Sequence, residues 1–147
     1  IGIVRYPFNK PSSLDAWQEK GGFHCVAVPH SHSLAKNKSI AVKELANEPI
    51  IMYPRHVAAA AYDDLISIFT DAGITPRMGQ EAVEQFTIGG LVAAGLGISI
   101  VPDVMANIPV PGVKYIPFKN VKNKTGFAVV TRKHKNILEE NFLKILN

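Results

Sequence analysis

Residues 85–105 read QFTIGGLVAAGLGISIVPDVM, and the eighteen positions from Gln85 to Pro102 carry no charge. A run of about 18 apolar residues is where a membrane span first comes into consideration. Its four glycines, Gly89, Gly90, Gly95 and Gly97, equally invite a phosphate-cradling loop. Neither reading survives the order of the residues. Before Gly95 the segment FTIGGLVAA suits a helix with one very small face; after Gly97 the β-branched ISIV, stopped by Pro102, suits a buried strand. Phosphate loops set their glycines between a strand and the start of a helix, where free N–H groups and the helix dipole meet the anion. Here the glycines lie at the opposite junction. The stretch predicts a helix over 84–94, Gly95 as the residue that closes it, and a strand over 97–101. Glycine inside a helix costs roughly 1 kcal/mol against alanine, so Gly89 and Gly90 are read as permitting close packing on a sheet.

Outward from this run, strands and helices alternate. IGIV (1–4), FHCVAVP (23–29) and the continuously apolar IIMY (50–53) read as strands, the last buried on both faces. IAVKELANEP holds a short helix or turn stopped by Pro49. Ala61, Tyr62, Leu65, Ile68, Phe69 and Ala72 form one helical stripe, with Gly73 and Pro76 as its stop. RMGQEAV, VKYIPF (113–118) and GFAVVTR (126–132) read as further strands, the last two joined by the polar KNVKNK. Asn136 with Glu139 three residues on predicts a capped terminal helix whose buried stripe is Leu138, Phe142, Ile145 and Leu146. Strands alternating with helices predict an α/β fold with a mostly parallel sheet.

Composition narrows the function classes. The 147 residues are 47% hydrophobic and 19% charged, a globular balance. The single cysteine, Cys25, excludes a disulfide framework within the chain and fits a reducing, cytoplasmic setting. The net charge of +4 is uneven: residues 114–147 hold eight Lys/Arg against two acids, while the rest holds eight against ten. No aromatic platform is interleaved with the basic residues, so the patch reads as a solvated surface rather than a nucleic-acid groove.

Chemistry is sought where strands run into helices, since ligands of open α/β sheets collect at strand carboxyl ends. Arg55, after IIMY, and Arg5, at the end of IGIV, stand at such edges and can receive a carboxylate through a guanidinium fork. A second junction, EAVEQFT, precedes the glycine helix. The histidines His30 and His32 of PHSHS lack a third ligand, which argues against a metal site. His24 and Cys25 are neighbours on a strand, point to opposite faces and cannot form a nucleophile–base pair. No hydrolase, metalloprotease or cofactor motif is present, so an enzyme is not expected.

The run EQFTIGGLVAAGLGISIVPDVM also resembles the Q-x-x-x-x-G-L-V-A-A-G-x-G-I-x-x-V-P element of the effector-binding domain of LysR-type transcriptional regulators. IGIVR, FHCVAVPHSHSLA and ANEPIIMYPR resemble three further segments of that family, in the same order, with Ser33 standing where the loop usually has proline. The resemblance implies a two-lobed fold like that of type 2 periplasmic binding proteins, with Rossmann-like lobes and a small organic anion held between them. It implies Arg5 in the cleft from the first lobe, Pro54, Arg55 and His56 from the second, and Gln85, Phe86 and Pro102 beside them. The interlobe crossovers are expected at Gly21, Gly22 and Phe23 and at Val101 and Pro102. Residues 1–21 and 103–147 would then form an incomplete first lobe and 22–102 the second, with the DNA-binding helix-turn-helix outside this stretch. A homo-oligomer, dimer or tetramer, is implied, with DNA reached only through that other domain and no membrane. A transporter's solute-binding protein, or an enzyme on the same fold, are the rival expectations.

Overall fold

The computed structural model describes residues 1–145. Seven strands and three helices follow one another as β1 (Gly2–Tyr6), β2 (Leu14–Pro29), β3 (Pro49–Met52), α1 (Ala59–Asp71), β4 (Arg77–Glu81), α2 (Gln85–Ala93), β5 (Ser99–Pro102), β6 (Val113–Pro117), β7 (Lys124–Arg132) and α3 (Ile137–Ile145). Short 3-10 turns at Ser33–Lys36, Val42–Leu45 and Asp103–Asn107 complete it.

The sixteen-residue β2 organises everything. Its first half, Leu14–Phe23, pairs antiparallel with β7, which pairs antiparallel with β1. Its second half pairs antiparallel with β5 on one side (His24–Ala27) and β6 on the other (Cys25–Pro29). Among the described residues, parallel pairing is confined to β3 with β4 and to the bridges of Ile40 with Phe118 and Ile50 with Ile98. The expected mostly parallel sheet is therefore corrected: periodicity finds strands, but their direction is settled by long-range partners. The division expected at 102/103 also parts β6 from the strand it pairs with. Between β6, on the second half of β2, and β7, on the first half, the chain passes at residues 118–123.

Strict alternation along β2 loads both faces of this sheet. Cys25 and Ala27 join Ile51, Val101, Ile88 and Val92 under α2. Val26 and Val28 join Ile50, Ile100 and Ile116 under Leu65, Ile68 and Phe69 of α1. Each such fully buried aliphatic or phenyl side chain contributes about 1.5–3 kcal/mol, so the second half of β2 is the spine of the larger core.

Helix ends match their sequence signals. Gly95 takes φ +78° and its N–H reaches the Val92 carbonyl (2.9 Å), while the Leu96 N–H reaches that of Leu91 (3.1 Å). Gly73 closes α1 in the same way, with φ +72°. These are Schellman closures, which a left-handed glycine permits. Asn136 caps α3 reciprocally: its Oδ1 accepts from the Glu139 N–H (2.9 Å) and its own N–H donates to Glu139 (2.8 Å). The buried face of α3 is another matter. Leu143 and Glu139 are buried, whereas Leu138, Phe142 and Ile145 are exposed, and Leu146 lies outside the described residues. The capping box draws Glu139 inward, near Arg132 (3.5 Å), and turns the expected stripe outward.

Candidate functional site

The two halves of β2 meet at Gly21 and Gly22, and the reason for glycine is close approach. A Cβ on Gly21 would lie 2.7 Å from the Thr125 carbonyl oxygen, and one on Gly22 would collide with the Asp103 carboxylate. Asp103 instead accepts the Phe23 N–H (3.0 Å), tying the turn after β5 to the crossover strand.

Beside this crossing lies a cavity of about 740 Å³. Arg5 enters from β1, Gln85 from the start of α2, Pro102 from the end of β5, Asp103 and Met105 from the following turn, and Phe127 from β7. Helix α2 opens on this cavity with no side-chain cap at Glu84, leaving its first N–H groups to other partners. A smaller recess adjoins, sharing Arg5, Gln85, Pro102 and Thr125 with the cavity and adding His24 and Tyr53. Burial pushes the Tyr53 phenol up to about 12, against the opposing influence of Arg5. Burial likewise raises the Cys25 thiol to about 12, so it is an inert core residue.

The structure thus brings together Arg5, Gln85, Pro102, Gly21 and Gly22. Pro54, Arg55, His56 and Phe86 do not line this cavity. Arg55 lies four residues before α1, exposed, with Nε and Nη2 each donating to Asp63 at 2.7 Å. That pairing holds the Asp63 carboxyl below its ordinary range. Val101 is buried opposite Cys25, and Phe23 is half-exposed. Sequence reasoning missed Asp103, Thr125, Phe127 and His24 as cavity or recess residues. The first three come from a turn and a strand that only the tertiary pairing carries to the crossover. His32 bonds Glu48 (3.3 Å), and no group of three potential metal ligands occurs among the described residues. No helix of the described residues is long and apolar enough to cross a membrane.

The family model for the LysR substrate binding domain matches residues 1–146. The regulator TtuA of Agrobacterium vitis is 43% identical over 96 residues, which cover 65% of this chain and 32% of TtuA. AlsR of Bacillus subtilis is 32% identical over 148 residues, covering all of this chain and 49% of AlsR. The chain therefore spans about a third to a half of the curated relatives' length. Among solved structures, the effector-binding domain of BenM with its effector benzoate is 26% identical, with TM-score 0.81, covering 97% of this chain and 64% of that one. Full-length CbnR complexed with its target DNA shares the fold at TM-score 0.85 and 23% identity, covering 98% of this chain and 50% of CbnR. With a family match over nearly its whole length and the same two-lobed architecture, the chain belongs to the LysR substrate binding domain family.

Proposed function

We propose that this chain is the effector-sensing part of a LysR-type transcription regulator, and that it holds a small carboxylate in the cavity at the β2 crossover. One observation carries the reading: Arg5 lies in the wall of a cavity of about 740 Å³, within the usual range for small-ligand sites, at the place where β2 passes between its two sets of partners. Arg5 would receive the carboxylate through its guanidinium fork, with the uncapped α2 N-terminus adding partial positive charge. Gln85 would supply a neutral donor, and Met105 and Phe127 apolar walls. Asp103, already engaged by the Phe23 N–H, would orient the crossover rather than the ligand. One lobe would comprise β1, the first half of β2, β7 and α3, and the other β3 to β6 with α1, α2 and the second half of β2. Ligand in the cavity would favour one lobe arrangement over another, a shift no larger than its difference in affinity for the two. DNA would be reached through another domain of the full-length protein, in the cytoplasm and as a homo-oligomer.

The benzoate complex of BenM supports a carboxylate, as does the chemistry of arginine. The test is calorimetric titration with a panel of small carboxylates, in wild type and in Arg5→Gln. A lost charge-assisted hydrogen bond is worth about 1.5–3 kcal/mol, so Arg5→Gln is expected to weaken binding about 10- to 100-fold. Equal binding by both proteins would remove Arg5 from the site.

A further inference from the structure

The chain passes between the two sets of strand partners twice, once within β2 at Gly21 and Gly22 and once at residues 118–123, between β6 and β7. The two passages are neighbours: Phe23 pairs with Lys124 and Gly22 with Thr125, the first residues of β7. Asn123 ends the second passage, and its side chain reaches across to α1. Its Nδ2 donates to Asp64 Oδ1 at 2.8 Å and to Ser67 Oγ at 3.0 Å, with the Asp64 carbonyl oxygen at 3.4 Å. The Ser67 hydroxyl in turn donates to that carbonyl at 2.7 Å, so the acceptors are themselves tied together.

The bond to Asp64 is of the stronger kind, an amide donating to a carboxylate. Asp64 Oδ2 is buried without a hydrogen-bond partner, so the bond at Oδ1 matters more to this carboxylate than a surface contact would. Its place in the fold gives it a consequence. Two residues past Asn123, Thr125 enters the wall of the cavity, followed by Gly126 and Phe127. Gln85 and Pro102 face the cavity from α2 and β5. A strand advances only about 3.3 Å per residue, so a movement of Asn123 is carried straight to Thr125 and Phe127. Asn123 thereby pins the start of one cavity wall to a helix of the half that supplies the other. A rearrangement that lifts β7 away from α1 breaks these bonds.

We propose that Asn123 is a positioning residue of the cleft: its amide, held by Asp64 and Ser67, fixes the lobe arrangement in which the two cavity walls stand as they do here. This rests on the lobe division of the proposed function, and not on the ligand's being a carboxylate.

The experiment measures a distance between the lobes. Cys25, the single cysteine of the chain, is buried, so spin labels are directed to cysteines introduced at two exposed positions, Asp71→Cys on α1 and Glu140→Cys on α3. Pulsed electron resonance on the ligand-free chain is expected to give one narrow distance distribution. Loss of a hydrogen bond to a carboxylate shifts a two-state equilibrium about 10- to 100-fold. Asn123→Ala and Asp64→Ala, which break the contact from either side, should therefore each broaden the distribution or add a second distance. Asp64→Asn, which keeps an acceptor oxygen in place, should stay close to the unsubstituted chain. A merely structural bond would lower the melting temperature of the alanine variants and leave the distance alone. Unchanged distances in whichever alanine variants fold would overturn the inference, as would equal broadening in Asp64→Asn or a broad distribution in the unsubstituted chain. No ligand takes part, so failed carboxylate titrations would leave this result standing, and unchanged distances would leave the role of Arg5 standing.

Discussion

Arg5 and Arg55 carry the same guanidinium at comparable strand ends, yet their surroundings separate them. Arg55 spends both of its bonds on Asp63 in solvent, while Arg5 lines both the cavity and its recess. Arg55→Ala is therefore expected to change carboxylate affinity less than twofold, against the 10- to 100-fold loss for Arg5→Gln; paired titrations check this. The candidacy of either arginine was legible in the sequence, but the choice between them was not, since Asp63 sits on the next helix and its partner is settled only by packing. His24 makes the stability of the fold depend on pH. Its folded pKa lies below the unfolded value, so the unfolded chain binds the extra proton as pH falls. The stability His24 permits is complete above about pH 6.5 and is lost as pH drops from there toward the lower folded value. Melting temperatures measured between pH 7.5 and 5 should fall in wild type and fall less in His24→Phe.

Among the elements, the glycine-rich run shows how much of the fold is written locally. Helix α2, its Gly95 closure and strand β5 follow from order and propensity; the helix and its closure are satisfied within the run itself, while β5 finds its partner in the second half of β2. The other three glycines of the run differ from one another in ways that spacing alone does not distinguish. A Cβ on Gly89 would lie 2.7 Å from Val110, so its smallness admits the loop before β6 rather than the sheet. Gly90 faces open space. Gly97, at φ +156°, lies so close to the Pro49 carbonyl that a side chain would collide with backbone. Gly90→Ala is expected to stabilise by about 0.5–1 kcal/mol through helix propensity, and Gly97→Ala to destabilise by about 1–3 kcal/mol. Chemical denaturation of the two variants measures both signs. Helix α3 shows the opposite limit. Its cap was legible in Asn136 and Glu139, but its buried face was not, because a carboxylate drawn inward by the cap and Arg132 displaced an apolar stripe.

The whole molecule turns on β2, which the sequence showed only from Phe23 onward. Its first half reads LDAWQEKGGF, too polar for a core strand, and is a strand at all because β7 supplies a ladder from far along the chain. The same strand ties the two sets of partners together at Gly21 and Gly22. Gly21→Ala would press a Cβ on the Thr125 carbonyl and is expected to cost about 1–3 kcal/mol by forcing β2 and β7 apart. It should also weaken carboxylate binding, since Thr125 and Gly21 both line the cavity. Under the proposed function a small carboxylate binds at this crossover. The most direct test is a two-dimensional amide spectrum of the chain titrated with 3-hydroxybenzoate and malate. Resonances of Arg5, Gly21, Gly22, Gln85, Asp103 and Phe127 should shift together along one saturable curve. Shifts gathered instead around Arg55 and His56, or no saturable shift with any carboxylate, would contradict it.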